Sequence, residues 1–445
     1  MKLTINKSTI KGKVTIPSSK SMTIRALMCA TLSKGESEIL NPLVCDDTNA
    51  AAAALMKIGV GIVKEKAVWR VTGGRLRVPA EDIDCGESAT TMRFLTAILS
   101  LVPGEHRLVG GPMLAKRPMR VLVDALENLG VKGSTAGKTT PPVTIKGGTF
   151  VGGATEIPGN VSSQFISALL LIAPFAKVGV SIKMTTPLTS KPYLLMTLWC
   201  LKRFGINVLT PLNRFIVKRQ RYLPAKVTVE GDWSSASYFL ALGATSEAGV
   251  QIENLSIGSL QGDRVMLDFL RVMGVAVRTS GDIINVSQGS LKAINANLSD
   301  CIDLLPAMAV LAALAEGVSI FVGIDRARIK ESNRVAAVRE GLVKMGINVV
   351  EEGDRLLITG LKNPKKAADD DSEESPKEKT TADNPEKKEI VVINSYGDHR
   401  IAMAFGVLGA ALGGLTIDGA ECVAKTFPDF WEALEKLGGE IKRNE

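Results

Sequence analysis

The chain has 445 residues, 45% hydrophobic but only 4% aromatic, so a large aliphatic core is available and the composition argues against base stacking on aromatic platforms as a mode of action. Its net charge of +8 comes from 54 basic and 46 acidic residues without the basic runs of a nucleic-acid arm, which suits small acidic substrates or solubility. Six scattered cysteines, no Cys-x-x-Cys pair and two histidines argue against zinc and fit a reducing cytoplasm, and the longest apolar runs fall short of a membrane span.

The opening "MKLTINKSTIKGKVTI" alternates like a strand and lacks the apolar stretch of a signal peptide. At "PSSKSMTIRA" a helix starts with Lys20, Ser21 and Arg25, an anion-site composition without a Walker loop before it. "CGESATTMRF" brings Glu87, Ser88, Thr90, Thr91 and Arg93 to another helix start, and "AKRPMR" follows with Lys116, Arg117 and Arg120. "GNVSSQF" places Ser162, Ser163 and Gln164 before the apolar "ISALLLIAPFA", and "TSKPY" supplies Ser190, Lys191 and Tyr193. Asp300 and Asp303 precede the apolar helix of "DCIDLLPAMAVLAAL". "RIKESNR" carries Lys330, Glu331 and Arg334, "YGDHR" carries Asp398, His399 and Arg400, and "AKTFPD" carries Lys425.

A phrase recurs between these clusters: "LMKIGV" at 55, "LENLGV" at 126, "LKRFGI" at 201, "LRVMGV" at 270, "LVKMGI" at 342 and "LEKLGG" at 434. Its leucine and bulky residue share a helix face, and its glycine supplies a left-handed C-cap before a strand. The glycines are spaced 71, 75, 69, 72 and 92 residues apart, which predicts six mixed α/β units grouped as two domains of three. The last spacing contains residues 362–389, with 16 charges in 28 residues and no large apolar side chain, a composition expected to form a disordered charged insertion.

Singly, each polar cluster reads as an ordinary helix cap or solvated face. Jointly, basic and hydroxyl residues recur at helix N-termini, where free amides and the helix dipole favour anions. If those ends converge, the cleft binds a ligand with several negative groups. His399, Asp303 and Glu331 are candidate acid–base groups, with Lys330 and Arg334 holding Glu331 ionised unless burial opposes them.

The motifs "IPSSKSMTIRA", "GNVSSQF", "SKPY", "VEGDWSSASYFL", "RIKESNR", "YGDHRIAMAF" and "AKTFPDF", in this order, resemble the 5-enolpyruvylshikimate-3-phosphate synthase family over nearly the whole chain. The resemblance implies an α/β fold of two similar domains, each of three βαβαββ repeats with buried parallel helices. It places one lobe at 18–231 and the other at 1–17 plus 232–445. It implies transfer of the enolpyruvyl group of phosphoenolpyruvate to the 5-hydroxyl of shikimate 3-phosphate, with release of phosphate and no metal or organic cofactor. A cytoplasmic monomer acting on these small molecules, without nucleic acid or membrane, is the accompanying expectation.

By the same resemblance, Lys20, Ser21, Arg25, Ser162, Ser163, Gln164, Ser190, Tyr193 and Lys330 serve shikimate 3-phosphate. Asp303 takes the hydroxyl proton, and Glu331 protonates the methylene carbon. Lys20, Ala89, Arg117, Gln164, Arg334, His399, Arg400 and Lys425 serve phosphoenolpyruvate. The family's common "N-A-G-T-A-M-R-P" stretch reads "ESATTMRF" here, residues 87–94. Ala89 stands where glyphosate-sensitive members have glycine, which predicts lower glyphosate sensitivity, and Arg326 stands where some members have a substrate-binding asparagine. The alternative is the sister transferase acting on UDP-N-acetylglucosamine, which typically has a cysteine, or in some members aspartate, in the loop that here reads "VGGPMLAKRP". A non-catalytic binding protein or an RNA-end-processing enzyme is a more distant reading.

Overall fold

The computed structural model describes residues 1–361 and 390–444. The charged stretch 362–389, expected to be a disordered insertion, lies outside the described residues.

Among the described residues, six small sheets repeat one arrangement. In the second unit, Ile83–Asp84 runs parallel to Gly104–Val109, which pairs antiparallel with Val143–Gly147, itself antiparallel to Lys132–Thr135. Helix Ala89–Leu99 joins the first two strands and Arg120–Glu127 precedes the last two, so the unit is βαβαββ. Asn295–Asn297, Val318–Val322, Asn348–Glu352 and Arg355–Thr359 repeat it with helices Leu305–Leu314 and Arg334–Lys344. In the third unit the fourth strand is reduced to a bridge between Leu209 and Ile216.

Three strands complete their sheets across long sequence distances. Lys226–Thr228 lies parallel to Gly35–Leu40, and Gly12–Thr15 lies parallel to Val250–Glu253. Lys2–Asn6 sits between Leu415–Asp418 and Glu440–Asn444. The two segments linking these strands run side by side: Ser19 N–H donates to Glu230 O at 2.8 Å, and Asp232 N–H donates to Pro17 O at 2.9 Å. A Cβ on Gly231 would lie 1.8 Å from Asn254 O, so only glycine fits at this crossing.

The buried apolar side chains of the described residues form two cores. One spans residues between Met22 and Val229; the other combines Leu3–Ile16 with residues between Trp233 and Leu437. Each core holds three inner helices: Lys20–Leu32, Ala89–Leu99 and Ser163–Ile172 in the first, and Trp233–Thr245, Leu305–Leu314 and His399–Leu412 in the second. Their sequences are apolar around most of the circumference; every residue of Leu305–Leu314 is buried. The recurring glycines, Gly59, Gly130, Gly205, Gly274, Gly346 and Gly438, all have positive φ, between 77° and 99°, as the cap reading predicts.

Candidate active site

The inner helices bring several of their N-termini to one cleft between the two cores. Lys20, Ser21, Ala89, Arg117, Ser162, Ser163, Gln164, Ser190 and Tyr193 line it from the first core; Asp303, Lys330, Glu331, His399 and Arg400 line it from the second. Six basic side chains and three carboxylates face the cavity, an excess that favours anionic ligands. Arg25, Arg334 and Lys425 stand just outside the lining and brace it. Arg25 is buried, and its guanidinium donates to Thr197 Oγ1 at 2.9 Å and to Tyr193 O at 3.1 Å.

Asp303 is held by four side chains. Its Oδ1 accepts from Arg334 Nη1 at 2.7 Å and lies 3.2 Å from Lys330 Nζ. Its Oδ2 accepts from Tyr193 Oη–H at 2.7 Å, across the cleft, and lies 3.4 Å from Arg400 Nη2. Burial opposes its charge, but Arg400, Lys330 and Arg334 together hold its pKa well below the usual carboxylate range. Arg334 also donates to Glu331 Oε2 at 2.7 Å and to Asp398 Oδ2 at 2.8 Å. Burial again opposes ionisation of Glu331, and Arg334, Arg117 and Lys425 overcome it, holding its pKa well below the usual carboxylate range. Of the three candidate acid–base groups, Asp303 and Glu331 are therefore held as carboxylates.

Burial disfavours the charge on Lys20 Nζ, yet Asp47, whose Oδ2 lies at 2.8 Å, and Glu331 outweigh it and raise its pKa. The Lys330 pKa falls to about 8, chiefly through burial. His399 is buried with neither ring nitrogen hydrogen-bonded to protein; burial, Lys20 and Arg400 depress its pKa well below the ordinary histidine value, leaving the ring neutral. Ser162 caps its helix, its Oγ accepting from Gln164 N–H at 3.3 Å, so the cap reading and the site reading hold together there. Gln164 is fixed by Arg93, which donates to its Oε1 at 2.7 Å. Ser190 adopts a left-handed conformation, φ 55°, and its N–H donates to Ser299 O at 3.2 Å, linking the two cores.

Some participants were absent from the sequence expectations. Asp47 holds Lys20; nothing in "CDDTN" beyond an acidic first helical turn signals this. Arg93 and Asp398 stood in recognised clusters, but their partners Gln164 and Arg334 could not be read from spacing. Arg326, left without a role in the sequence, lines the cleft and donates to Ser299 O at 2.6 Å. Among the described residues no three His, Cys, Asp or Glu side chains are grouped to hold a metal ion.

Residues 5–434 match the family described as EPSP synthase (3-phosphoshikimate 1-carboxyvinyltransferase). A 3-phosphoshikimate 1-carboxyvinyltransferase of Dehalococcoides mccartyi is 46% identical, the match covering 99% of each chain. Its namesake in Methanocaldococcus jannaschii is 38% identical over 97% of each. Among solved structures, EPSP synthase from Acinetobacter baumannii superposes with a TM-score of 0.79 at 28% identity, covering 100% of both chains. The enolpyruvyl transferase NikO from Streptomyces tendae gives 0.75 at 16% identity, covering 100% of this chain and 98% of its own, a likeness of fold alone.

Proposed function

The chain belongs to the EPSP synthase family, and from that premise we propose how its cleft carries the family's reaction. The enzyme transfers the enolpyruvyl group of phosphoenolpyruvate to the 5-hydroxyl of shikimate 3-phosphate and releases phosphate, a step of aromatic amino-acid biosynthesis. The observation that carries our assignment of roles is Asp303, whose carboxylate is held by Tyr193 from one side of the cleft and by Lys330, Arg334 and Arg400 from the other.

In this reading Ser162, Ser163, Gln164 and Ser190 hold the phosphate of shikimate 3-phosphate, with Lys330 supplying charge, Ser21 and Arg25 serving the same substrate and Tyr193 packing beside it. Asp303 accepts the proton of the 5-hydroxyl. Its cationic neighbours make it a weak base alone; the acceptor's phosphate beside Lys330 offsets part of that field and raises its basicity. Arg117, Arg334, Arg400 and Lys425 clamp phosphoenolpyruvate, with Ala89, Gln164 and His399 alongside, and Lys20 touches both substrates. The donor's negative charge offsets the positive charge of Arg117 and Lys425 that depresses the Glu331 pKa, so Glu331 gains a proton as the donor binds and delivers it to the methylene carbon. The acceptor oxygen bonds to the adjacent carbon, giving a tetrahedral intermediate. Glu331 then takes back a proton from the methyl group as the bond to phosphate breaks, and the departing phosphate takes the proton held by Asp303, which restores the enol ether, the Asp303 carboxylate and the protonated Glu331. A cleft preorganised with fixed charges lowers the barrier without reorganising solvent.

We assign residues 18–231 to one lobe and 1–17 with 232–445 to the other. Two separate cores and the paired segments at Ser18 and Gly231 support this division. The protein acts as a cytoplasmic monomer in this reading, which the family resemblance and the free thiols among the described residues support. No helix among those residues is long and apolar enough to cross a membrane.

Phosphate release from phosphoenolpyruvate, assayed with shikimate 3-phosphate and then with UDP-N-acetylglucosamine, tests the substrate choice. Release with the first alone is expected. Release only with the second would assign the sister reaction, and release with neither would point to a binding protein.

A further inference from the structure

Glu87 takes no part in the assignments above, yet it contacts Lys425 and the loop that leads to Arg117. It lies in the turn before helix Ala89–Leu99, half-buried. Its carboxylate accepts two main-chain N–H groups from the following loop: Leu114 at 2.7 Å on Oε2 and Met113 at 3.4 Å on Oε1. That loop forms the short turn Leu114–Lys116 and delivers Arg117, whose N–H closes the turn onto Leu114 O at 2.9 Å. The main-chain oxygen of Glu87 accepts from Lys425 Nζ, across the cleft, at 2.9 Å. Met113 extends the contact, its Sδ lying 3.1 Å from where a Cβ on Gly397 would stand, two residues before His399.

The fit around Glu87 is close. Gly111 N–H donates to Gly86 O at 2.9 Å, and a Cβ on Gly111 would lie 2.1 Å from Glu87 Oε1. The glycine there has no positive φ to maintain; what a side chain at 111 disturbs is the Glu87 carboxylate.

We propose that Glu87 is a positioning residue for phosphoenolpyruvate: its carboxylate fixes the turn that carries Arg117, and its carbonyl fixes Lys425 of the opposite wall. It does not line the cleft itself. The inference rests on the assignment of Arg117 and Lys425 to the donor. It therefore predicts a selective defect, in which donor binding suffers and acceptor binding does not.

Steady-state kinetics on Glu87→Ala, Glu87→Gln, Gly111→Ala and Arg117→Ala test it. Glu87→Ala is expected to raise the KM for phosphoenolpyruvate about tenfold while the KM for shikimate 3-phosphate changes less than about twofold. Glu87→Gln should recover most of the loss, because an amide oxygen still accepts the Leu114 N–H. Gly111→Ala should reproduce the alanine defect by displacing the carboxylate, and it remains measurable if Glu87→Ala fails to fold. The proposal is overturned if the measurable variants leave the donor KM unchanged or raise both KM values equally. It is overturned alone, with the donor assignment intact, if Arg117→Ala raises the donor KM while Glu87→Ala and Gly111→Ala do not. An unchanged donor KM in Arg117→Ala would instead remove the assignment on which it rests.

Discussion

Lys330 is the lysine in the cleft whose charge lies closest to being lost near neutral pH. Burial brings its pKa down to about 8, against the pull of Asp303 and Glu331. Below that pH it is a cation available to the acceptor's phosphate; above it, it is neutral. The kcat/KM for shikimate 3-phosphate should therefore fall as pH rises through about 8, and Lys330→Arg should remove that limb because guanidinium stays charged. An identical alkaline fall in the variant would assign it to another group. Ala89, the first residue of its helix, lines the cleft with 8% of its surface exposed. Its methyl should crowd an inhibitor longer than phosphoenolpyruvate, so Ala89→Gly is expected to bind glyphosate about tenfold more tightly in competition with the donor. Equal inhibition constants would contradict this. Lys20, Asp303 and Glu331 were legible because basic and acidic residues at helix starts carry a physical meaning and because the motif order resembles one family. Asp47 and the Arg93–Gln164 contact were not, since packing rather than local sequence brings together side chains 27 and 71 residues apart.

At the scale of the elements, the repeated leucine–glycine phrase did read through to structure: each glycine ends a helix in the left-handed region. These caps differ in what surrounds them. A Cβ on Gly346 would meet nothing within 4 Å, so Gly346→Ala bears only the backbone strain of about 1 kcal/mol. A Cβ on Gly438 would lie 2.5 Å from Thr9 O, so Gly438→Ala should be the more destabilising of the two in urea unfolding. Equal losses would show that the strain, not the contact, dominates both. The phrase could not reveal that Lys226–Thr228 completes the first sheet, because pairing between distant strands leaves no local periodicity. The placement of the N-terminal strand with the second half came from the family resemblance, not from the repeat. The left-handed backbone of Ser190 is likewise set by its contact with Ser299 across the cleft rather than by its own propensity.

Across the whole molecule, the two cores meet through polar groups of the cleft itself. Tyr193 donates to Asp303, Lys425 donates to Glu87 O, Lys191 N–H donates to Asp300 Oδ1 at 3.0 Å, and Arg117 lies 3.8 Å from Glu331. Each core alone would present an incomplete site, with the hydroxyl cluster on one wall and the candidate acid–base carboxylates Asp303 and Glu331 on the other. Buried opposite charges in such a cleft contribute little net stability, because desolvation offsets their attraction; their value lies in a fixed field for anionic substrates and the developing charge of the reaction. The central claim is that this field serves a base, Asp303, supplied by one wall to a substrate held by the other. Replacing Asp303 with asparagine keeps its shape and removes its capacity to take a proton. It also leaves Lys330, Arg334 and Arg400 less compensated, so shikimate 3-phosphate should bind at least as tightly as before. The most direct measurement is kcat for phosphate release by Asp303→Asn alongside its Kd for shikimate 3-phosphate. The account predicts a fall in kcat of about a hundredfold or more with no weakening of binding. A kcat within about tenfold of wild type would contradict it.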